Sequence, residues 1–292
     1  MLNQVQGTSY LAHFGLNQAP FSLTPDTEFF FTAPAHQEAL NVVKMALGNC
    51  EGFIKIVGEV GLGKTLLCRR LLNTLGDPFV TAYIYNPHLT PNGIRRALAR
   101  ELGLELPSNI AQERLLDALN QRLLGLAAEG HPVVLFVDEA QSLPVATLEA
   151  LRLLTNLETE KAKLLRIVVF GQPELDELLA LKAVRQLQQR IGFSYRLTPL
   201  TSVGVEQYLA HRLHVAGRSG AKLLSRRAVT ALAYASRGIP RLINILAHKS
   251  LLSAWGAQSE RVSLEHVKAA CRDTEGIGDR WLWLRSWTGR FA

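Results

Sequence analysis

The chain has 292 residues, of which 48% are hydrophobic, and carries a formal net charge of +7. It has enough apolar material for one large domain, or for a large and a small one. No apolar run is long enough to span a membrane, and the N-terminus lacks the layout of a secretory signal. The three cysteines have no metal-ligand spacing, which fits a reducing compartment. We therefore expect a cytoplasmic protein without a transmembrane segment.

The positive charge is concentrated in the C-terminal part of the chain. Residues 1–200 contain 18 basic and 19 acidic side chains, whereas residues 201–277 contain 11 and 5, and residues 278–292 contain 3 and 1. Such a bias indicates an acidic partner. The charge alone does not choose among nucleic acid, an anionic membrane surface and an acidic protein.

Residues 1–35 are rich in aromatic residues and prolines and are interpreted as an extended N-terminal lead-in. From residue 36 to residue 200, apolar runs of strand length alternate with segments of helical periodicity. The expected strands are Phe53–Val57, Phe79–Tyr85, Val133–Val137, Leu164–Phe170 and Phe193–Leu197. The expected helices are His36–Leu47, Thr65–Leu75, Pro91–Leu102, Ala111–Ala128 and Thr147–Glu158. This alternation predicts an α/β fold with a parallel sheet flanked by helices on both faces.

No strand-like run follows Pro199. Instead, the cap-forming residues Thr201, Ser225 and Ser263 precede helical segments, and Pro240 begins another. Residues 201–277 are therefore predicted to form a small all-helical domain.

Residues 278–292 form a C-terminal tail rich in Trp and Arg. Its aromatic residues fall near one face of a helix, which suits an anionic bilayer interface or a groove on a partner protein. The same rings are equally consistent with packing on the helical domain.

The strongest motif is GEVGLGKT at residues 58–65, a full match to the Walker A or P-loop pattern between a predicted strand and a predicted helix. Glycines let the backbone amides approach phosphates, Lys64 supplies a cation, and the Thr65 hydroxyl binds Mg²⁺. The alternative is a glycine turn with a surface lysine. The expected nucleotide-binding residues here are Gly58, Glu59, Val60, Gly61, Leu62, Gly63, Lys64, Thr65 and Leu66.

A second motif, of Walker B type, lies about seventy residues further on, where an apolar strand ends in Asp138 and Glu139. At the carboxyl end of a strand next to the P-loop strand, Asp138 would bind Mg²⁺ with Thr65. Glu139 would orient and activate the water that attacks the γ-phosphate. The alternative is a pair of acids in a solvated turn.

These motifs and the helical C-terminal segment resemble the AAA+ ATPase superfamily over residues from about 30 to 275. The resemblance implies ATP with Mg²⁺ as ligands, ATP hydrolysis, and ATP-dependent homo-oligomers, of which a ring is one form. It implies that Gln172 in FGQPEL is the first sensor and that Arg241 in GIPR is the second sensor, contacting the γ-phosphate and thereby the nucleotide. It also implies an arginine finger, for which Arg190 is preferred to Arg185; a surface salt bridge is the alternative role for Arg190.

A narrower resemblance depends on the aromatic lead-in, GEVG at 58–61, DEAQ at 138–141 and GQPEL at 171–175. Together they resemble the secretion ATPases of the general secretion pathway protein A family, and most of all its short relatives in mannose-sensitive haemagglutinin (MSHA) type IV pilus biogenesis. This implies a protein that assists assembly of pilus or secretion machinery, in the cytoplasm or peripherally at the inner membrane.

Two alternatives stay open. A DNA-dependent AAA+ ATPase of the transposition or helicase-loading type shares DEAQ-like motifs, the helical lid and a basic C-terminal half, so nucleic acid is a second partner class. A nucleotide-gated scaffold that does not hydrolyse ATP is the third interpretation, and Glu139 argues against it.

Overall fold

The computed structural model describes residues 10–85, 88–107, 109–158 and 163–277. The Trp- and Arg-rich tail lies outside these residues, so its predicted roles stay predictions. The chain forms two compact units. The first, here called the α/β unit, contains residues 34–60 and 64–198; the second, here called the helical unit, contains the residues up to Ala33, Gly61–Gly63 and the residues from Pro199 onward.

The α/β unit is built on five parallel strands in the order β2-β3-β4-β1-β5. The strands are β1 (Phe53–Val57), β2 (Val80–Ile84), β3 (Val133–Val137), β4 (Leu165–Gly171) and β5 (Phe193–Arg196). Every residue of β3 and β4 is buried, as expected for central parallel strands covered on both faces. The carboxyl ends of all five strands therefore lie at one edge of the sheet, and the predicted parallel sheet is confirmed.

Helices of the α/β unit cover this sheet and contribute to its apolar core. They are Pro34–Gly48, Lys64–Thr74, Pro91–Glu101, Gln112–Ala128, Val145–Leu154, Glu174–Leu179 and Arg185–Gln188, with 3-10 turns at Ala140–Ser142 and Lys182–Val184. The two short helices after β4 were not predicted, because six or fewer residues are too few to show a helical period. The helix expected to reach Glu158 ends at Leu154, and Glu158 instead pairs with Lys163 ahead of β4.

Between Pro199 and residue 277, the helical unit contains four helices that begin where the sequence predicts. They are Ser202–Val215, Arg226–Ser236, Pro240–Gly256 and Leu264–Arg272. The Thr201 hydroxyl accepts a hydrogen bond from the Gly204 amide at 3.1 Å, and the Ser225 hydroxyl accepts one from Ala228 at 3.2 Å. Ser263 forms a reciprocal capping box with His266. Each such cap stabilises a helix start by about 1 kcal/mol.

The described part of the N-terminal lead-in is packed into the helical unit. Residues 10–14 are helical, whereas residues 15–33 form the turns and irregular backbone expected of a lead-in. Phe14, Phe21 and Phe29 are buried in the apolar core of the helical unit. The guanidinium of Arg212 lies 4.3 Å from the centre of the Phe29 ring, and its Nε donates to the Pro20 carbonyl at 2.5 Å. The rings of the lead-in and the helices after Pro199 thus share one apolar core.

Among the residues that the structure describes, no helix is both long enough and apolar enough to cross a membrane.

Candidate active site

The loop after β1 has the backbone that its glycines predict. The Gly58 amide donates to the Gly171 carbonyl at 3.1 Å, which ties the start of the loop to the end of β4. Gly61 and Gly63 have φ of +84° and +89°, in a region that residues with a Cβ rarely adopt. Val60 is exposed, whereas the Leu62 side chain is buried, so Leu62 has only its backbone to offer to a ligand.

Within the helical unit, Gly61 packs against the start of the helix Pro240–Gly256. A Cβ on Gly61 would lie 2.7 Å from the Arg241 Cβ and 3.1 Å from the Ile239 Cγ2. The Gly61 carbonyl accepts a hydrogen bond from the Arg241 amide at 3.2 Å. No side chain fits at position 61 without moving this backbone.

Lys64 begins the helix Lys64–Thr74 and is 5% exposed. Its Nζ donates to the carbonyl oxygens of Gly58 at 2.7 Å and Glu59 at 3.1 Å. Burial lowers the pKa of Lys64, and the nearby carboxylates of Glu139 and Asp138 oppose that shift. A buried ammonium group at the N-terminal end of a helix, behind a glycine-rich loop, is suited to bind phosphate.

Asp138 follows β3 and is 2% exposed. Its amide donates to the Ile84 carbonyl at 3.0 Å, and its carboxylate accepts from the Glu139 amide at 3.0 Å and from the Thr65 hydroxyl. Burial raises the pKa of Asp138, and these two hydrogen bonds oppose that rise. A carboxylate and a hydroxyl are the hard oxygen ligands that Mg²⁺ prefers. The donors of Asp138 and Thr65 therefore fit the metal predicted for them.

Glu139 has left-handed backbone angles, φ 52° and ψ 38°. Its Oε2 accepts hydrogen bonds from the side-chain amides of Gln141 at 2.6 Å and Gln172 at 3.1 Å. The Gln172 backbone amide in turn donates to Gln141 Oε1 at 3.0 Å. The structure thus brings the predicted base and the predicted first sensor into contact at the carboxyl ends of β3 and β4.

The three arginines considered for the finger and the second sensor lie in other surroundings. Arg190 is half-buried and donates to the Thr155 hydroxyl at 3.1 Å, within the same α/β unit, and Arg185 is exposed. Arg241 is exposed, at the second position of its helix. Their roles as arginine finger and second sensor stay predictions.

Sequence reasoning gave no role to Gln141 or to Asp176. Gln141 belongs to the DEAQ string and stands two residues after Glu139, which was the available signal. Asp176 forms ion pairs with Lys55 of β1, at 2.5 Å, and with Arg196 of β5. These partners are far apart in the sequence, so no local pattern marks the cluster.

The glycine loop after β1 and the acidic pair after β3 are placed as in the P-loop fold, at the carboxyl edge of a parallel sheet. Residues 49–179 match a family model described as an AAA domain. This part of the chain therefore carries an AAA domain with a P-loop fold.

One curated protein is similar over almost the whole chain. General secretion pathway protein A of Aeromonas hydrophila is 38% identical over 274 residues, which cover 94% of this chain and 50% of that protein. The chain thus spans about half the length of this relative.

Two solved structures show the same fold at low identity. Cdc6p of Pyrobaculum aerophilum aligns with a TM-score of 0.70 at 20% identity, covering 90% of this chain and 73% of that one. The ORC2 protein of Aeropyrum pernix aligns with a TM-score of 0.65 at 18% identity, covering 89% and 72%.

Proposed function

We propose that this chain binds ATP with Mg²⁺, hydrolyses the ATP at the site around Lys64, Asp138 and Glu139, and uses the turnover to assist assembly of a type IV pilus of the MSHA type or of secretion machinery. The observation that carries the proposal is the charge cluster at one sheet edge, formed by the buried Lys64 and Asp138 and the half-buried Glu139. There the Lys64 ammonium lies within electrostatic range of both carboxylates, although the three residues come from two separate parts of the chain.

In this proposal, the amides of the loop from Gly58 to Thr65 and the Lys64 ammonium bind the β- and γ-phosphates, with Leu66 contributing its backbone at the helix start. Thr65 and Asp138 hold Mg²⁺, which, when bound, neutralises the phosphate charge. Glu139 accepts the proton of the attacking water.

Three further residues act on the γ-phosphate in this scheme. Gln172 and Arg241 contact it as sensors, and Arg190 reaches the nucleotide of a neighbouring subunit. Hydrolysis is favoured over passive binding because Glu139 supplies a carboxylate beside the metal ligand Asp138, where a proton acceptor is needed.

The assembly role is supported by the similarity to general secretion pathway protein A, whose name assigns it to general secretion. The MSHA assignment is supported by the DEAQ and GQPEL strings and the aromatic lead-in. We place the protein in the cytoplasm or on the cytoplasmic face of the inner membrane, where such machinery is assembled.

The first experiment measures ATP hydrolysis over a protein concentration series, with and without double-stranded DNA. We compare the wild type with Lys64→Ala and Arg190→Ala, test Arg185→Ala as the second candidate for the arginine finger, and use the exposed Arg227→Ala as the control. We expect specific activity to rise with self-association, to be lost in Lys64→Ala and Arg190→Ala, and to be unchanged by DNA. This result supports an oligomeric machine that acts on proteins. DNA stimulation that collapses with salt would instead support the DNA-dependent alternative.

The second experiment tests assembly in the organism that encodes the chain. The chromosomal copy is replaced by the Lys64→Ala form, and surface pili and detergent-resistant secretin multimers are counted. Loss of either structure, with normal levels of its subunits, supports the proposal. Normal numbers of both structures would contradict the assembly role, whereas the proposal that the protein hydrolyses ATP would stand.

A further inference from the structure

Gln141 uses both ends of its side-chain amide at the active-site edge of the sheet. Its Nε2 donates to Glu139 Oε2 at 2.6 Å, and its Oε1 accepts the Gln172 backbone amide at 3.0 Å. The backbone N–H can only donate, so it fixes which end of the Gln141 amide is the oxygen. The NH₂ group must then face Glu139. Gln141 therefore bridges the ends of β3 and β4 in one defined orientation.

The carboxylate of Glu139 is held by one oxygen. Oε2 accepts from Gln141 and from the Gln172 side chain at 3.1 Å, which occupies both of its lone pairs. The proton acceptor is then the other oxygen, Oε1. Left-handed backbone at a residue other than glycine costs about 1 kcal/mol or more, so the backbone turn and the two amides together aim the carboxylate.

We propose that Gln141 is a positioning residue for ATP hydrolysis: it holds Glu139 by Oε2 and leaves Oε1 to take the proton from water. This rests on the proposed function, because it requires Glu139 to be the base. Gln141 acts through Glu139, so its removal slows the chemical step while nucleotide binding is unchanged. A misplacement of about 1 Å at a catalytic group can reduce a rate about a hundredfold.

The test is a double-mutant cycle on steady-state hydrolysis. Gln141→Leu keeps the size of the side chain and removes both hydrogen bonds. We expect kcat to fall roughly tenfold to hundredfold, with KM and the affinity for a fluorescent ATP analogue within about twofold of wild type. In the Glu139→Gln background, Gln141→Leu should change kcat by less than about twofold, because the group through which it acts is absent.

Gln37→Leu is the matched control, since it removes an amide that donates to Asn41 on an exposed helix face, at 2.9 Å. Its kcat should equal that of wild type. Thermal unfolding checks that each variant is folded. If Gln141→Leu proves unstable, Gln141→Glu gives the second test. This variant preserves the acceptor for the Gln172 amide and loses the donor to Glu139. A kcat that falls at least tenfold supports the role of that donor.

Three outcomes would overturn the inference: an unchanged kcat, a raised kcat, or losses that add in the double mutant. Failure of the proposed function is distinguishable from these. If wild type and Glu139→Gln hydrolyse ATP at the same rate, Glu139 is not the base. If only Glu139→Gln is impaired, Glu139 keeps its role and Gln141 loses its own.

Discussion

The two units use buried polar side chains for different purposes. In the α/β unit, Lys64 and Asp138 are buried at the carboxyl edge of the sheet, where burial works against the charged form of each. In the helical unit, the buried Arg212 donates to the carbonyls of Pro20 and Ser22, and Asn244 accepts a hydrogen bond from Tyr208 at 2.9 Å.

This difference predicts which substitutions should lower activity and which should lower stability. Burial disfavours the charges at the sheet edge, and in the proposed function they bind ligands, so their removal should affect activity more than stability. The polar groups of the helical unit join the N-terminal segment to the helices, so their removal should affect stability more than chemistry.

The largest effect is expected for Lys64→Ala. Removing the buried cation should lower ATP hydrolysis by a factor of about 100 or more, because its charge is placed where phosphate charge is held. The unfolding temperature should change by no more than about 2 °C. A phosphate-release assay measures hydrolysis, binding calorimetry measures nucleotide affinity, and thermal denaturation measures the unfolding temperature. The control is Lys44→Ala, at an exposed position on the helix Pro34–Gly48. Nucleotide affinity equal to that of the control would contradict the assignment.

Gly61→Ala should come next. The added methyl group meets the Arg241 Cβ at 2.7 Å, and the residue must hold φ +84°, so the loop has to shift. We expect ATP affinity to fall by roughly tenfold, which corresponds to about 1.4 kcal/mol. The control is Gly76→Ala, where a Cβ meets nothing within 4 Å. Equal affinities for these two variants would show that the loop geometry is not needed.

Arg212→Met should reduce stability and leave activity nearly unchanged, because it does not alter the sheet edge. It removes the hydrogen bonds to the carbonyls of Pro20 and Ser22 and the contact with the Phe29 ring. We expect the free energy of unfolding to fall by about 2–4 kcal/mol, measured by urea denaturation, while kcat at low temperature changes by less than about twofold. The exposed Arg227→Met is the control. A large loss of kcat with unchanged stability would contradict the claim that the buried polar groups of the helical unit serve stability rather than chemistry.

Asp138→Asn should have a smaller effect on stability than Arg212→Met, and in the opposite direction. Because burial raises the pKa of Asp138, the folded state binds its proton more tightly than the unfolded state. The free energy of unfolding therefore falls as pH rises from the unfolded to the folded pKa, and above the folded pKa the penalty is present in full. The neutral amide avoids that penalty, so the unfolding temperature should rise, by about 2–4 °C for each kcal/mol of penalty removed.

Mg²⁺ and ADP should stabilise the wild type but not this variant, because the proposed metal ligand is gone. Thermal shift assays at several pH values, with and without Mg²⁺ and ADP, measure both effects. The gain over wild type should shrink in acid, where Asp138 is protonated in both states. A variant that is less stable than wild type at neutral pH and still responds to Mg²⁺ would contradict this account.

Local sequence patterns predicted most of the fold. The five strands and the four C-terminal helices follow from apolar runs, caps and glycine positions, which act within a few residues of each other. Thr201 and Ser225 show this directly, since each caps the helix that begins at the next residue.

Contacts between distant residues were beyond that reasoning. The burial of Phe14 and Phe21 in the helical unit depends on residues about two hundred positions later, and no local period reveals it. The same holds within the site, where Lys64 and Asp138 were predictable from their motifs. The hydrogen bonds that join Gln141 to Gln172 were not, because they depend on the register of β3 and β4.

The most direct test of the central claim is single-turnover ATP hydrolysis by the wild type and by Glu139→Gln, at equal nucleotide occupancy. If Glu139 is the base that activates water, the rate should fall by about 10² to 10⁴ while ATP binding is retained. Rates that are equal in the two proteins would show that Glu139 has no part in the chemical step and would contradict the account of this site.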